Sequence, residues 1–248
     1  MWTVTQATLV SRAVWGANFI NQNNTDENGH GTHVAGTIGG LTLGISPHTR
    51  LVALKVFDGN AQGPWSGVLS ALDWACTDAE NRNATALSVI NMSLGGDRYD
   101  VIDDAVSAAV RRGLTVVVAA GNENQNVSNV SPAACPEAIA VGATDQNDNK
   151  PWWSNWGPDL DVFAPGDGIL SSWFATDEAT LTLSGTSMAS PHVAGLCAYF
   201  MEVYGPHTPA QMRQRVVGYA TQGRVQNAGQ GSPNMLVFNG NALEYGQK

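Results

Sequence analysis

The chain has 248 residues, 43% of them hydrophobic and only 13% charged, with a formal net charge of −9 at pH 7. This length suits one large domain with a substantial core, and we interpret 1–248 as a single domain. The negative charge argues against a nucleic-acid partner and against docking on an anionic membrane, and no apolar run is long enough to span one.

Short apolar runs alternate along the chain with runs of helical periodicity. The strand-like runs are 50–58, 87–94, 114–121, 138–144 and 159–166, and a weaker alternating run lies at 3–10. The helical runs are 66–82, 100–113 and 187–205. This alternation predicts an α/β fold, with a mostly parallel sheet covered by helices on both faces. Functional residues should then collect at the carboxyl ends of the strands.

The stretch LSGTSMASPHVAG (183–195) carries the clearest chemistry. Ser187 follows Gly185 and Thr186 and opens a helix, whose N-terminus favours negative charge near the serine hydroxyl. Pro191 has no N–H, so the carbonyl of Ser187 loses its usual partner in the next turn. A plain helix cap is the alternative for a lone Gly-Thr-Ser, but the whole string favours a nucleophile.

The stretch NGHGTHVAGTIGG (28–40) places His30 at the entrance of a helix and His33 one turn later. His30 is a candidate general base, although a lone histidine is more often structural. A His-x-x-His pair can also indicate zinc, but no cysteine or glutamate completes that pattern here. We therefore favour the base over the metal.

The stretch VVVAAGNEN (116–124) ends a buried strand with Asn122, whose side-chain amide can reach an oxyanion. Ordinary turn chemistry is the alternative, because Gly-Asn is common in loops.

These three stretches, together with SLGG (93–96), resemble the subtilisin-like serine proteases in the same chain order, and most closely the proteinase K branch. The resemblance covers the chain from about Arg12 onward. It implies a three-layer α/β fold in which Ser187 is the nucleophile, His30 the general base and Asn122 an oxyanion donor. It implies that Ser93, Leu94 and Gly95 pair with an extended substrate, and that Ala119, Ala120 and Gly121 form a pocket wall. Trp65 falls where the family places an aromatic residue beside the peptide. A buried strand is the alternative for residues 119–121, and an ordinary surface aromatic is the alternative for Trp65.

The same resemblance implies a structural calcium ion held by the backbone carbonyls of Pro136 and Ala138 and by the carboxylate of Asp161, because oxygen ligands suit calcium. An acid at a solvated strand edge is the alternative for Asp161. The three cysteines leave at least one thiol free. Cys197 lies in an apolar helical run, whereas a bond between Cys76 and Cys135 stays open.

The family carries its catalytic Asp at the end of a first central strand, well before the histidine motif, and this sequence has no acidic residue before Asp26. Asp26 lies four positions before His30 and is a weak candidate for orienting its ring. We therefore expect the first central strand and its carboxylate to be missing. A truncated or incomplete protease is the preferred explanation, ahead of a peptide-binding homologue and of a separate polypeptide that supplies the strand.

The resulting expectation is an endopeptidase with a broad, apolar-leaning specificity and strongly reduced activity, or a catalytically deficient peptide-binding homologue. Its partners would be extended peptides, and a propeptide or the missing N-terminal segment, with no nucleic acid and no membrane. We expect a monomer that is secreted, although the sequence contains no targeting segment. Five N-glycosylation sequons add modest weight to secretion; they begin at Asn23, Asn83, Asn91, Asn126 and Asn129.

Overall fold

The computed structural model describes residues 12–240. The strands are β1 (Ala13–Asn18), β2 (Leu51–Lys55), β3 (Val89–Met92), β4 (Gly96–Asp97), β5 (Thr115–Ala119), β6 (Val130–Ser131), β7 (Ile139–Thr144), β8 (Val162–Pro165), β9 (Ile169–Ser172), β10 (Thr180–Leu183), β11 (Thr221–Gln222) and β12 (Met235–Leu236). The helices are α1 (His30–Gly39), α2 (Trp65–Asn81), α3 (Asp100–Arg111), α4 (Thr186–Tyr204) and α5 (Pro209–Tyr219). The alternating run predicted at 3–10 lies outside the described residues.

The main sheet has six strands in the order β11-β12-β8-β7-β5-β3. All neighbours from β12 to β3 are parallel, and only β11 is antiparallel. Alternate side chains of β5 enter different cores: Val116 and Val118 belong to one, and Val117 belongs to the other. The predicted α/β fold and the strand buried on both faces are therefore confirmed.

Helices cover both faces of this sheet and give the molecule three layers. Val68 of α2 and Ile102 of α3 pack in the core of one face. Val34 of α1, Phe200 of α4 and Met212 of α5 pack in the core of the other. A helix buried among two neighbours and a sheet is apolar nearly all round, which explains the composition of α4.

The predicted strand at 50–58 does not join the main sheet. It forms β2, which pairs in parallel with β1 in a separate two-stranded sheet, and β1 was not predicted. A cavity of about 260 Å³ lies between Leu51, Val52 and Leu54 of β2 and Val89 and Ile90 of β3. Within residues 12–240 no strand fills this position, so β2 and β3 each keep one edge without a ladder partner.

The cysteines Cys76, Cys135 and Cys197 are all buried and none forms a disulfide bond. Cys76 and Cys135 therefore stay separate, and burial raises the pKa of all three thiols. Across the described part of the chain, no helix has the length and apolar character needed to cross a membrane.

Candidate active site

Asn122 and the start of α4 are held together at the carboxyl end of the sheet. The Oδ1 atom of Asn122 accepts hydrogen bonds from the backbone N–H of Thr186 (2.9 Å) and from its hydroxyl (3.0 Å). The same hydroxyl accepts the N–H of Gly121 at 3.0 Å. Because Oδ1 is fixed in this way, the amide turns its Nδ2 donor away from Thr186.

The space beside Gly185 is bordered by two hydrogen-bond donors. A Cβ atom placed on Gly185 would lie 3.7 Å from Nδ2 of Asn122 and 3.7 Å from the backbone nitrogen of Ser187. A side chain at position 185 would therefore occupy the space that the two donors border. Two such donors suit an oxygen atom that gains negative charge.

Ser187 is the second residue of α4, which begins at Thr186; the residue is partly exposed, and its hydroxyl donates to the carbonyl of Ser93 at 3.5 Å. The missing N–H of Pro191 had led us to expect that the carbonyl of Ser187 has no hydrogen-bond partner. The hydroxyl of Ser93 donates to this carbonyl at 2.8 Å, so it is not free. Behind Ser93, Asn91 donates its Nδ2 to the Ser93 hydroxyl and accepts the hydroxyl of Ser190 at 2.6 Å. This chain of hydrogen bonds joins β3 to the first turn of α4.

The loop that carries Asn122 is organised by a fully buried amide, Asn155. Its Nδ2 donates to the carbonyl of Ala120 (2.8 Å) and to Glu123 (2.7 Å). Its Oδ1 accepts the N–H groups of Glu123 and Gln125. Gly121 has φ +97°, and a side chain there would collide with Asn155. The sequence analysis missed Asn155, because an isolated asparagine between tryptophans carries no recognisable pattern.

His30 is the first residue of α1, and Asp26 caps the N-terminus of that helix. The carboxylate of Asp26 accepts the N–H groups of Asn28, Gly29 and Thr32, and the hydroxyl of Thr32 at 2.6 Å. Both carboxylate oxygens of Asp26 are thus engaged by the helix start. No acceptor among residues 12–240 hydrogen-bonds to the ring of His30.

Burial lowers the pKa of His30 to about 4, and the carboxylate of Asp26 opposes this change only in part. The ring is therefore neutral at pH 7 and able to accept a proton.

The helices that carry His30 and Ser187 pack side by side. His33 of α1 lies near His192 of α4, and further along both helices the backbone of Ile38 lies against Gly195. These two positions advance in the same direction along α1 and α4. The first turns of both helices therefore lie at the same end of the layer.

This chain matches the family model described as the subtilase family over residues 6–237. The chain belongs to the subtilase family. It is 48% identical over 231 residues to subtilisin-like protease 3 of Pseudogymnoascus destructans. This aligned region covers 92% of this chain and 57% of the relative. It is 48% identical over 233 residues to a cuticle-degrading serine protease of Arthrobotrys oligospora, covering 94% of this chain and 56% of that protein. The chain thus spans little more than half the length of these curated relatives.

The fold agrees with this assignment. A crystal structure of a cold-adapted subtilisin-like serine proteinase matches this subtilase with a TM-score of 0.88 and 38% sequence identity. The match covers 94% of this chain and 84% of the other. The three-layer subtilisin-like fold expected from the motifs is therefore confirmed.

In this subtilase, His33 has a structural position. It is fully buried, and its Nε2 lies 3.0 Å from the carbonyl oxygens of both Ile169 and Leu181, so it joins α1 to the hairpin of β9 and β10. Burial lowers the pKa of His33, which keeps the ring neutral. No group of three or more metal-ligating side chains occurs in the part of the chain that the structure describes.

The proposed substrate strand, residues 93–95, lies between β3 and β4 and belongs to neither. Trp65 begins α2, and its ring lies 3.2 Å from the point where a Cβ atom on Gly96 would be. The ring also lies 6.4 Å from that of Tyr99, at a tilt of 42°. Trp65 is therefore beside the far end of this segment.

The oxygens expected to bind calcium contact an arginine instead. Arg213 of α5 donates its Nε to Oδ1 of Asp161 and its Nη1 to the carbonyl of Pro136, both at 2.6 Å. Calcium takes six to eight oxygen ligands at about 2.3–2.6 Å. With the guanidinium between its acceptors, this arrangement does not fit a calcium ion. Ala138, the third expected ligand, is not among the hydrogen-bond partners of Arg213 in the described residues.

Proposed function

We propose that this subtilase is a serine endopeptidase that cleaves extended peptides. The observation that supports this most strongly is the pair of donors beside Gly185, next to a partly exposed serine at a helix start. Relatives named as serine proteases support the same reaction class.

In the proposed reaction, the hydroxyl of Ser187 attacks the scissile carbonyl while neutral His30 accepts its proton. The N–H of Ser187 and Nδ2 of Asn122 stabilise the tetrahedral oxyanion. His30 then returns the proton to the leaving amine. In the second half of the reaction, water takes the place of the amine: His30 accepts a proton from it as it attacks the acyl carbon, and then returns that proton to the oxygen of Ser187. The fold contributes to each step by positioning the reacting groups, because the contacts described above fix α1, α4 and the loop after β5.

We propose that the activity is low for residues 12–240 alone. A carboxylate behind the base orients the ring and stabilises the imidazolium, and none contacts His30 here. In subtilisin, loss of the corresponding aspartate lowers kcat by about 3 × 10⁴, and oxyanion stabilisation and binding preserve roughly 10³–10⁴ over water.

The proposed substrate-binding surface consists of residues 93–95, Trp65 and the segment 119–121. We propose that Ala119, Ala120 and Gly121 form one wall of the main specificity pocket and that the specificity is broad and leans toward apolar side chains. We also propose that the protein is secreted and monomeric, and that a propeptide is a partner. An extracellular serine proteinase of Thermus, 47% identical over 213 residues, supports secretion.

A fluorophosphonate probe tests this proposal, because it reacts with an activated serine without requiring proton donation to an amine. We expect slow labelling of the folded chain, its loss in Ser187→Ala, and a decrease of about 10²–10³-fold in the rate for Asn122→Ala. Asn147→Ala is the matched control, because Asn147 lies in an exposed turn far along the chain. Absence of labelling in a protein that shows a cooperative thermal transition would favour the peptide-binding alternative.

A further inference from the structure

A positively charged side chain bridges three segments on the surface of the main sheet. Arg213 lies on α5, Asp161 directly precedes β8, and Pro136 lies in the loop before β7. The acceptors are 25 residues apart in the chain, and Arg213 comes from a third element. One guanidinium therefore connects an entire helix to two neighbouring strands.

Asp161 needs a cation in this position. Its side chain is only 5% exposed, while that of Arg213 is 40% exposed. The second carboxylate oxygen, Oδ2, accepts the N–H of Ala140 at 2.9 Å. Burial raises the pKa of Asp161, and a positive charge at the remaining oxygen, Oδ1, opposes this change and stabilises the ionised carboxylate.

The guanidinium meets this need in charge and in geometry. The single positive charge of the guanidinium balances the single negative charge of the Asp161 carboxylate. The planar guanidinium directs separate N–H groups at two acceptors, which a lysine ammonium does with less directional specificity.

We propose that Arg213 is the resident cation of this site and replaces the calcium ion that the motifs had led us to expect. The segments around Pro136 and Asp161 then keep their arrangement without a divalent metal. Removal of the guanidinium exposes an oxygen set that accepts calcium.

Thermal unfolding with and without calcium tests this directly, and it needs no catalytic activity. In EDTA, Arg213→Met should unfold roughly 5 °C below the parent chain, because a largely buried carboxylate loses its partner. Millimolar calcium should restore most of this loss in Arg213→Met. The difference between the Tm in calcium and the Tm in EDTA should be smaller in the parent chain.

Two further variants locate the effect. Arg215→Met is the matched control: Arg215 lies on the same helix, stacks over Tyr204 and donates to His207, but does not contact the oxygens of this site. It should gain no calcium response. Adding Asp161→Asn to Arg213→Met should abolish the rescue, and calorimetric titration with calcium should show a site in Arg213→Met that this double variant lacks.

The proposal is wrong if calcium raises the Tm of the parent chain and of Arg213→Met by the same amount. It is also wrong if Arg213→Met loses stability that calcium does not restore. If Arg213→Met does not fold in EDTA, Arg213→Lys provides the comparison. It keeps the charge, so it should fold, lose less stability and gain no calcium site.

Discussion

At the residue scale, the candidate site depends on which atom of each polar side chain is already engaged. The Oδ1 atom of Asn122 is held by Thr186, and this leaves its Nδ2 donor for a ligand. Both oxygens of Asp26 are held by the start of α1, and no carboxylate among residues 12–240 hydrogen-bonds to the ring of His30. The role of each polar side chain therefore depends on which of its atoms already has a hydrogen-bond partner.

The pKa of His30 leads to a prediction about pH. Only the neutral ring can accept a proton from Ser187, and a pKa of about 4 keeps it neutral above that pH. We expect the rate of fluorophosphonate labelling to be flat from pH 5 to 8 and to fall about tenfold per unit below pH 4. Labelling reactions that are quenched at several times, in buffers of constant ionic strength, measure this profile.

A labelling rate that instead decreases around pH 6.5, the ordinary pKa of histidine, would contradict this prediction. That result would mean that a negative charge beside the ring supports the imidazolium. The lowered pKa of His30 also makes the stability of the fold depend on pH. Since the unfolded ring binds a proton more readily, His30 lowers the free energy of unfolding as the pH falls from 6.5 to 4.

At the element scale, the two catalytic candidates occupy the beginnings of helices that pack side by side. α4 begins with its N–H groups near Asn122, and α1 begins on the carboxylate of Asp26. A helix start places backbone donors and a side chain at a fixed point in space, so a small change in the cap moves the functional group with it.

Replacing Asp26 with alanine tests this dependence. The variant loses the acceptor for three backbone N–H groups, and we expect a loss of about 1–2 kcal/mol in the free energy of unfolding. Chemical denaturation measures the loss, and labelling of Ser187 should slow as His30 loses its position.

Asp104→Ala is the control for this variant, because Asp104 is exposed on α3 and should change neither quantity. A second outcome separates capping from catalysis. If Asp26→Ala shifts the pH profile of labelling by a full unit while stability is unchanged, Asp26 acts on the ring of His30 and not as a cap.

At the scale of the whole molecule, the central layer is divided. β3 ends the six-stranded sheet, and a cavity of about 260 Å³ separates it from β2, which pairs only with β1 among the described strands. Helices on both sides hold the two parts together, while half of the ladder hydrogen bonds of β2 and β3 are absent within residues 12–240. This region has the least backbone support in the sheet.

Hydrogen exchange measured by mass spectrometry should reveal this division. We expect peptides that cover β2 and β3 to exchange roughly tenfold faster than those that cover β5 and β7, because β5 and β7 are paired on both edges. β8, which is also paired on both edges, is the internal control. Equal protection of β2 and β5 would contradict this view of the cavity.

Much of this subtilase was determined by local sequence alone. The long motifs around His30 and Ser187 identified the family, and apolar periodicity located the helices α2, α3 and α4 to within about two residues. Periodicity works for these elements because their burial repeats along the chain with the same spacing as the side chains themselves.

Only the tertiary structure decided which groups are free to act. It gave Ser93 a bond to the carbonyl of Ser187, separated β2 from the main sheet and brought Arg213 onto Asp161 and Pro136. The physical reason is distance along the chain: these hydrogen-bonded partners lie between 52 and 94 residues apart, and no local pattern encodes a hydrogen bond over that separation. Charge and burial at such contacts depend on how all layers pack together, so they emerge only when the whole fold is present.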